Sequence, residues 1–314
     1  MASSTPPFAP FEWMIAWRYL RARRAEGGVS VMTWISLIGI TLAVFALIAT
    51  LAVRAGFRAE FVDTILGANG HVTVYEMGVM QPNGAVDRNI RDYDALAAQV
   101  ATVDGVTRVA PIVRGQVMAT FQGNNAGMEV YGITAENLAT IPRIANPQTA
   151  QGDIGRFNEG IAIGSGIARS LNAQVGALIR LISPDGVKTA FGTSPRVNAY
   201  EVTYIFTAGR YDIDRTRAYL PLSEAQSYFN AEGAVNELEV MVSDPDNVDD
   251  LSADILAAAG DTALIWTWRE ASSGFLNALD IEDNVMFVIL SVLVLIAAMN
   301  IVSGLIMLVK NKGR

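Results

Sequence analysis

The sequence predicts a membrane protein in which two transmembrane α-helices flank a large outer α+β domain of two subdomains. Three observations carry this. Val29–Val53 and Val285–Val309 each run 25 residues without a charged side chain, and at about 1.5 Å per residue each is long enough to cross a hydrocarbon core of about 30 Å. Arg18, Arg21, Arg23 and Arg24 precede the first span, and Lys310, Lys312 and Arg314 follow the second. Basic residues beside a span favour the cytoplasmic side, so both termini are expected inside and residues 54–284 outside. Charge divides the same way: residues 55–283 carry 15 Lys and Arg against 29 Asp and Glu, a net of −14 within a chain total of −8.

The elements follow in order. Residues 1–28 mix Phe11, Met14, Ile15, Trp17, Tyr19 and Leu20 with the four arginines, a composition that fits either an amphipathic helix lying at the inner membrane surface or simple topogenic charge with no special geometry. The first span, 29–53, is too long and begins too far into the chain for a cleaved signal peptide, so it reads as an uncleaved anchor. Past Arg54 the helix continues through Phe57, Phe61 and Ile65 to about Gly67. His71–Tyr75 alternates like a strand, and Asp92 opens a helix to about Val103, with Gly105 as its stop. Strands follow at Thr107–Val109, Gly115–Phe121 and Met128–Ile133, completing a first subdomain over about 68–135.

A second subdomain, 136–270, contains a strand at Gly160–Gly164, a helix at Ser165–Leu171 and a strand at Ala177–Ile182. Ser183–Asn198 holds Pro184, Gly186, Gly192 and Pro195 and reads as a break in regular structure. Strands resume at Glu201–Thr207 and Thr216–Leu220. A helix at Ser223–Phe229, a strand at Glu237–Val242, a helix at Val248–Ala259 and a strand at Ala263–Thr267 lead to the second span, 285–309, and a short tail, 310–314. Strands and helices without steady alternation indicate α+β.

Chemistry leaves little trace. His71 is the lone histidine and there is no cysteine, which removes most zinc sites, histidine-based triads and thiol chemistry. Gly164-Ser165-Gly166 lacks the spacing of a nucleophile elbow, and no phosphate-binding G-x-x-x-x-G-K-[ST] loop occurs. Asp244–Asp250 is acidic, but its sixth position is Asp249 where a calcium loop requires glycine. Carboxylates there suit the start of the helix at Val248. The acidic outer domain argues against nucleic-acid partners, and the cysteine-free exported domain suits a bacterial periplasm. Asn300 within the second span is a helix-packing residue, since a polar side chain there seeks a partner on another helix. No catalytic residue, metal ligand or cofactor is assigned to this chain.

The order of basic helix, span, mixed outer domain, span and basic tail resembles the MacB-like class of ABC transporter permeases. Ala16–Arg23, Ile35–Val44, Gly56-Phe57, Ile65–Gly67, Gly105–Pro111, Gly160–Gly164 and Ala168–Gly176 carry the likeness. Within the class the chain is most similar to the lipoprotein-releasing permeases, the LolC/LolE family. The discriminating piece is Ser183–Arg196, which lies between two strands where that family carries a protruding hairpin, the Hook, that engages a periplasmic carrier protein. Thr189, Gly192 and Pro195 fit the hairpin's pattern. The family's carrier-facing proline is replaced by Ala190, and two polar positions after the hairpin read Val197 and Asn198.

The resemblance implies a non-enzymatic subunit that extracts lipoproteins from the outer leaflet of the inner membrane and passes them to the carrier. It implies cytoplasmic ATPase subunits holding ATP and Mg, and a second permease copy or paralogue. Carrier contacts would fall on Arg180, Pro184, Lys188, Thr189, Ala190, Phe191, Gly192, Thr193, Pro195 and Arg196. An apolar slot for acyl chains would draw on Met32, Val44, Leu47, Met286, Leu290 and Met299. The family normally has four spans with a coupling helix after the second, so a chain stopping at Arg314 is expected to be a fragment. The alternatives are a MacB-like permease for efflux or cell-wall hydrolase control, which would lack the Hook-like loop, and a two-span periplasmic sensor, which would need a cytoplasmic signalling domain.

Overall fold

The computed structural model describes residues 10–21, 27–80, 86–189 and 192–312. It divides into a helical unit, residues 1–59 with 274–314, and a compact domain, 60–273. In the helical unit α1 covers Pro10–Arg21 and leaves Trp13, Met14 and Trp17 exposed. A second helix, α2 (Gly27–Leu66), runs 40 residues without interruption. No proline lies in it, and its glycines at 39 and 56 meet nothing a Cβ would touch.

The domain begins with β1 (Val72–Glu76), the small hairpin β2 (Val79–Met80) and β3 (Val86–Asp87), and α3 (Tyr93–Val100). The first long strand, β4 (Val106–Phe121), turns through Gln122-Gly123 into β5 (Asn124–Ile133). Both turn residues have positive φ, 48° and 87°, the conformation a tight two-residue hairpin requires and glycine accepts without cost. Short helices α4 (Ala135–Leu138) and α5 (Pro142–Ala145) and strand β6 (Thr149–Gly152) precede a 3₁₀ helix at Ile154–Glu159. Strand β7 (Ile161–Gly164) then runs directly into α6 (Ser165–Leu171). Gly164 and Gly166 make this turn possible, because a Cβ on either would fall within 3 Å of Asp214 or Arg215.

The long strands β8 (Leu178–Thr189) and β9 (Gly192–Thr207) come next, then α7 (Tyr211–Thr216), β10 (Arg217–Pro221) and α8 (Leu222–Tyr228). Strand β11 (Glu237–Val242), α9 (Val248–Ala259), β12 (Ala263–Thr267), α10 (Trp268–Ala271) and the 40-residue α11 (Ser273–Lys312) complete the chain. A capping box between Thr267 and Glu270 fixes the start of α10, and the Trp268 indole donates to the Pro245 carbonyl at 2.8 Å.

The pairings show how these pieces assemble. Strands run in the order β12-β1-β11-β4-β5-β10-β7-β9-β6, with β8 bridging β4 and β9. That bridge closes a ring of six strands, β4-β5-β10-β7-β9-β8, through the segments in which they pair. Strand β4 hands over between neighbours along its length: 106–112 pair with β11 and 113–121 with β5. Helix α3 packs on β4 and α9 on β1 and β12, and Val72, Val74, Leu238 and Val240 are all at most 1% exposed. Tyr131, Ile133, Tyr204, Phe206 and Tyr219 form the centre of the main buried cluster.

One expectation is corrected. The expected strands at Thr107–Val109 and Gly115–Phe121 are one strand, β4, because Pro111 sits where only β11 pairs and one free flank accommodates a residue without an N–H. Strands β11 and β12, late in the chain, return to pair with β4 and β1.

Candidate functional site

Ser183–Asn198, read as irregular, is a β-hairpin. Leu178–Ser183 pair with Arg196–Glu201, and Val187–Thr189 pair with Gly192–Ser194. The interval between holds Pro184, Asp185 and Gly186 on one side and Pro195 on the other, without ladder partners. Both prolines therefore fall at the one place in the arm that needs no backbone donor. Gly186 is required there, since a Cβ would collide with the Ser194 carbonyl oxygen. The sequence cues for a break were real, but cross-strand pairing absorbed them in a bulge.

The arm is free of the rest of the sheet. β8 pairs with β4 only through Arg180–Ile182, and β9 meets β7 and β6 only from Val202 onward. Between those limits the two strands pair with each other. At its base Arg196 donates through Nη1 to the carbonyls of Ser227 and, at 3.1 Å, Tyr228, and through Nη2 to Asn230 Oδ1 at 2.7 Å. The Tyr228 hydroxyl returns a bond to the Arg196 carbonyl at 3.4 Å, and the Tyr200 and Tyr228 rings meet edge-on at 6.2 Å. Arg196, expected as a carrier contact, is spent on bracing the arm against the end of α8.

Arg180 is exposed on β8, opposite Thr120 and Ala199. Around it on the same sheet face stand Met118, Leu178 and Val197, each more than half exposed. Sequence reasoning singled out Arg180 and Val197 but missed Met118 and Leu178. Their signal was available in the alternation with buried Val117, Ala119, Ile179 and Leu181. Pro195 is exposed and Pro184 lies in the unpaired interval, while Lys188, Thr189, Gly192 and Thr193 have the backbone pairing just given. Ala190 and Phe191 lie outside the described residues.

In the helical unit, half-buried positions recur at Leu279, Asp283, Met286, Leu290, Leu293 and Ala297 of α11, and at Ile40, Ala43, Leu47, Thr50 and Arg54 of α2. These spacings of three and four define the facing stripes. Leu47, Met286 and Leu290 lie on them, whereas Val44 and Met299 are 47% and 63% exposed on outer faces. Met32 lies in the first turns of α2. A cavity of about 530 Å³ opens between the stripes, lined by Ala49, Val53, Phe57, Leu279 and Met286 and rimmed by an Arg54–Asp283 ion pair. Of the expected slot residues Met286 lines it.

His71 is buried and plays no part in either site. Its Nδ1 lies 3.0 Å from the nitrogen and 3.1 Å from the oxygen of Val242, and loss of solvent pushes its pKa down to about 4. Asp244 caps its own turn by accepting from Asp246 N at 3.2 Å and Asn247 Nδ2 at 2.7 Å.

Two long apolar helices flanking this α+β domain define the class: the chain belongs to the MacB-like periplasmic core domain family, which matches residues 33–258. Within that class it is a member of the LolC/LolE family and an inner-membrane protein. It is 28% identical over 308 residues to the lipoprotein-releasing system transmembrane protein LolC of Neisseria meningitidis, covering 96% of this chain and 71% of that protein. It is 26% identical over 305 residues to LolE of Haemophilus influenzae, again 96% and 71%. The periplasmic region of MacB from Actinobacillus actinomycetemcomitans aligns at 12% identity over 69% of this chain and 98% of its own, with a TM-score of 0.42.

Proposed function

We propose that the chain is the transmembrane subunit of an ABC transporter that extracts lipoproteins from the outer leaflet of the inner membrane and delivers them to a soluble periplasmic carrier. The observation that carries this reading is the two-stranded arm of β8 and β9, braced at Arg196, on a chain aligned with LolC over nearly its whole length. Both termini face the cytoplasm, where separate ATPase subunits use ATP and Mg, and a second permease copy or paralogue completes the assembly. Leaving lipid costs an acyl chain about 0.8 kcal/mol per methylene, so extraction needs an external drive. An apolar cavity along Met286 offers the departing chains a place to stay out of water.

Carrier recognition is assigned to the arm together with the face of Met118, Arg180 and Val197. This favours lipoprotein release over efflux or cell-wall hydrolase control, which would not use such an arm. The arm does not bear on the two-span sensor, which a carrier crosslink would exclude. A photoreactive residue at Val197, in cell membranes, is expected to crosslink to a small soluble periplasmic protein, and a probe at exposed Leu256 on α9 is not. Equal labelling from both positions, or none from Val197 in an active protein, sinks the assignment.

A further inference from the structure

Within the compact domain, which begins at Glu60, an ion pair lies at the depth of the lipid headgroups. The part of α2 apolar enough to cross a membrane is Leu37–Phe57, 21 residues. At about 1.5 Å per residue that is about 31 Å, the thickness of a hydrocarbon core. The helix runs on without a break to Leu66, so Glu60 stands at most about 4.5 Å along the axis beyond Phe57. Its side chain leans back toward the helix N-terminus, the membrane side of this helix. The headgroup layer on each face of a bilayer is about 5–7 Å deep, and the Glu60 carboxylate falls inside it. Arg143 reaches the same depth from α5. Its backbone N–H donates to the Gly67 carbonyl at 2.8 Å, which fixes α5 beside the end of α2. Its guanidinium lies 3.6 Å from Glu60, so the side chain runs back along α2 by seven residues, about 10 Å.

The charge around Arg143 differs from that of the rest of the domain. Residues 55–283 carry a net charge of −14, yet residues 137–152 hold no Asp or Glu, and Arg143 is their one charged side chain. Ala139, Pro142, Asn146 and Gln148 in this segment are exposed. An acidic surface is repelled by a layer of phosphates, whereas a neutral surface with one arginine is not. An ion pair in water holds two long side chains together only weakly. At phosphate depth an arginine meets a second acceptor, because its planar fork can serve a carboxylate and a phosphate together. A free anion in solution would be turned away by the acidic domain. A lipid phosphate is held at this depth by its own acyl chains.

We propose that Arg143 binds the phosphate of a phospholipid in the leaflet facing the domain, and so holds α5 to the membrane surface. The inference rests on α2 spanning the membrane and is independent of what the transporter moves. The test is photolabelling of the full chain in phosphatidylcholine nanodiscs that contain a small fraction of phosphatidylethanolamine with a diazirine on its headgroup. Cleavage after glutamate separates residues 137–159 from residues 283–314. The second peptide, from the membrane-spanning part of α11, is the internal reference for lipid contact. Residues 137–159 are expected to carry label. Arg143→Gln should lower their label relative to the reference about tenfold, the loss of a charge-assisted hydrogen bond, with the near-ultraviolet dichroism unchanged. Glu60→Gln should keep that label or raise it, because a competing carboxylate is removed while the arginine stays. Absence of label from residues 137–159 of the unaltered chain would overturn the proposal, as would equal label in the Arg143→Gln variant. A loss in Glu60→Gln as deep as that in Arg143→Gln would also overturn it, since the pair would then act only within the protein.

Discussion

Replacing Arg217 by methionine is expected to destabilise the periplasmic domain by about 3–5 kcal/mol, the cost of breaking a buried charged network by removing one partner. Arg217 is 9% exposed and lies 4.4 Å over the Tyr131 ring. Its loss strips donors from the Ala68 carbonyl, Asn69 Oδ1 and Tyr131 hydroxyl at once. Glu239 would lose a favourable positive charge nearby and keep its ion pair with Arg108 at 3.6 Å. Arg217→Lys should recover only part of the loss, because an ammonium keeps the charge without the planar fork. Urea unfolding followed by near-ultraviolet circular dichroism measures both. A loss below about 1 kcal/mol for the methionine variant would show that packing of Tyr131 and Tyr219 holds this region unaided.

The second large effect is a pair of opposed pH dependences. His71 is held at about 4 against an ordinary 6.5, so the folded domain binds fewer protons there than the unfolded chain. Its contribution is full above pH 6.5 and is lost as pH falls toward 4, by up to about 3 kcal/mol. Glu237 is held at about 7 against 4.5, facing Arg114 from β4, Tyr75 from β1, Glu129 from β5 and Glu239 on its own strand. Its contribution is full below pH 4.5 and is lost as pH rises toward 7, by a similar amount. Between 4.5 and 6.5 the two slopes oppose each other, so the pair leaves stability nearly flat. Glu237→Gln should unmask a rise in stability with pH from 4 to 6.5. His71→Gln should unmask a fall from 4.5 to 7. Identical pH profiles for the two variants would contradict the assignment of either group.

Much of this architecture could be read along the chain. The two apolar runs became α2 and α11, and short patterned segments such as Glu237–Val242, Val248–Ala259 and Ala263–Thr267 became β11, α9 and β12 with the expected bounds. Local periodicity sufficed there because each element buries one side. It failed where partners are distant in sequence. Pro111 looked like a break because its neighbour β11 lies over a hundred residues away. Pro184, Gly186 and Pro195 looked like a loop because a bulge that hides them forms only when both strands pair. The Arg217 cluster joins residues 68 to 239 and carries no motif at all. On the arm, alternation marked Leu178 and Met118 as outward-facing, but their joining into one face with Arg180 depends on the β4–β8 register.

The most direct test of the central claim is lipoprotein distribution in cells that depend on this permease, after Pro184–Pro195 is replaced by a two-residue turn. Ser183 and Arg196 are directly paired, so the shortened strands can still close. Outer-membrane lipoproteins are expected to accumulate in the inner membrane while the permease remains at its normal level. An unchanged distribution between the two membranes would contradict carrier delivery through the arm.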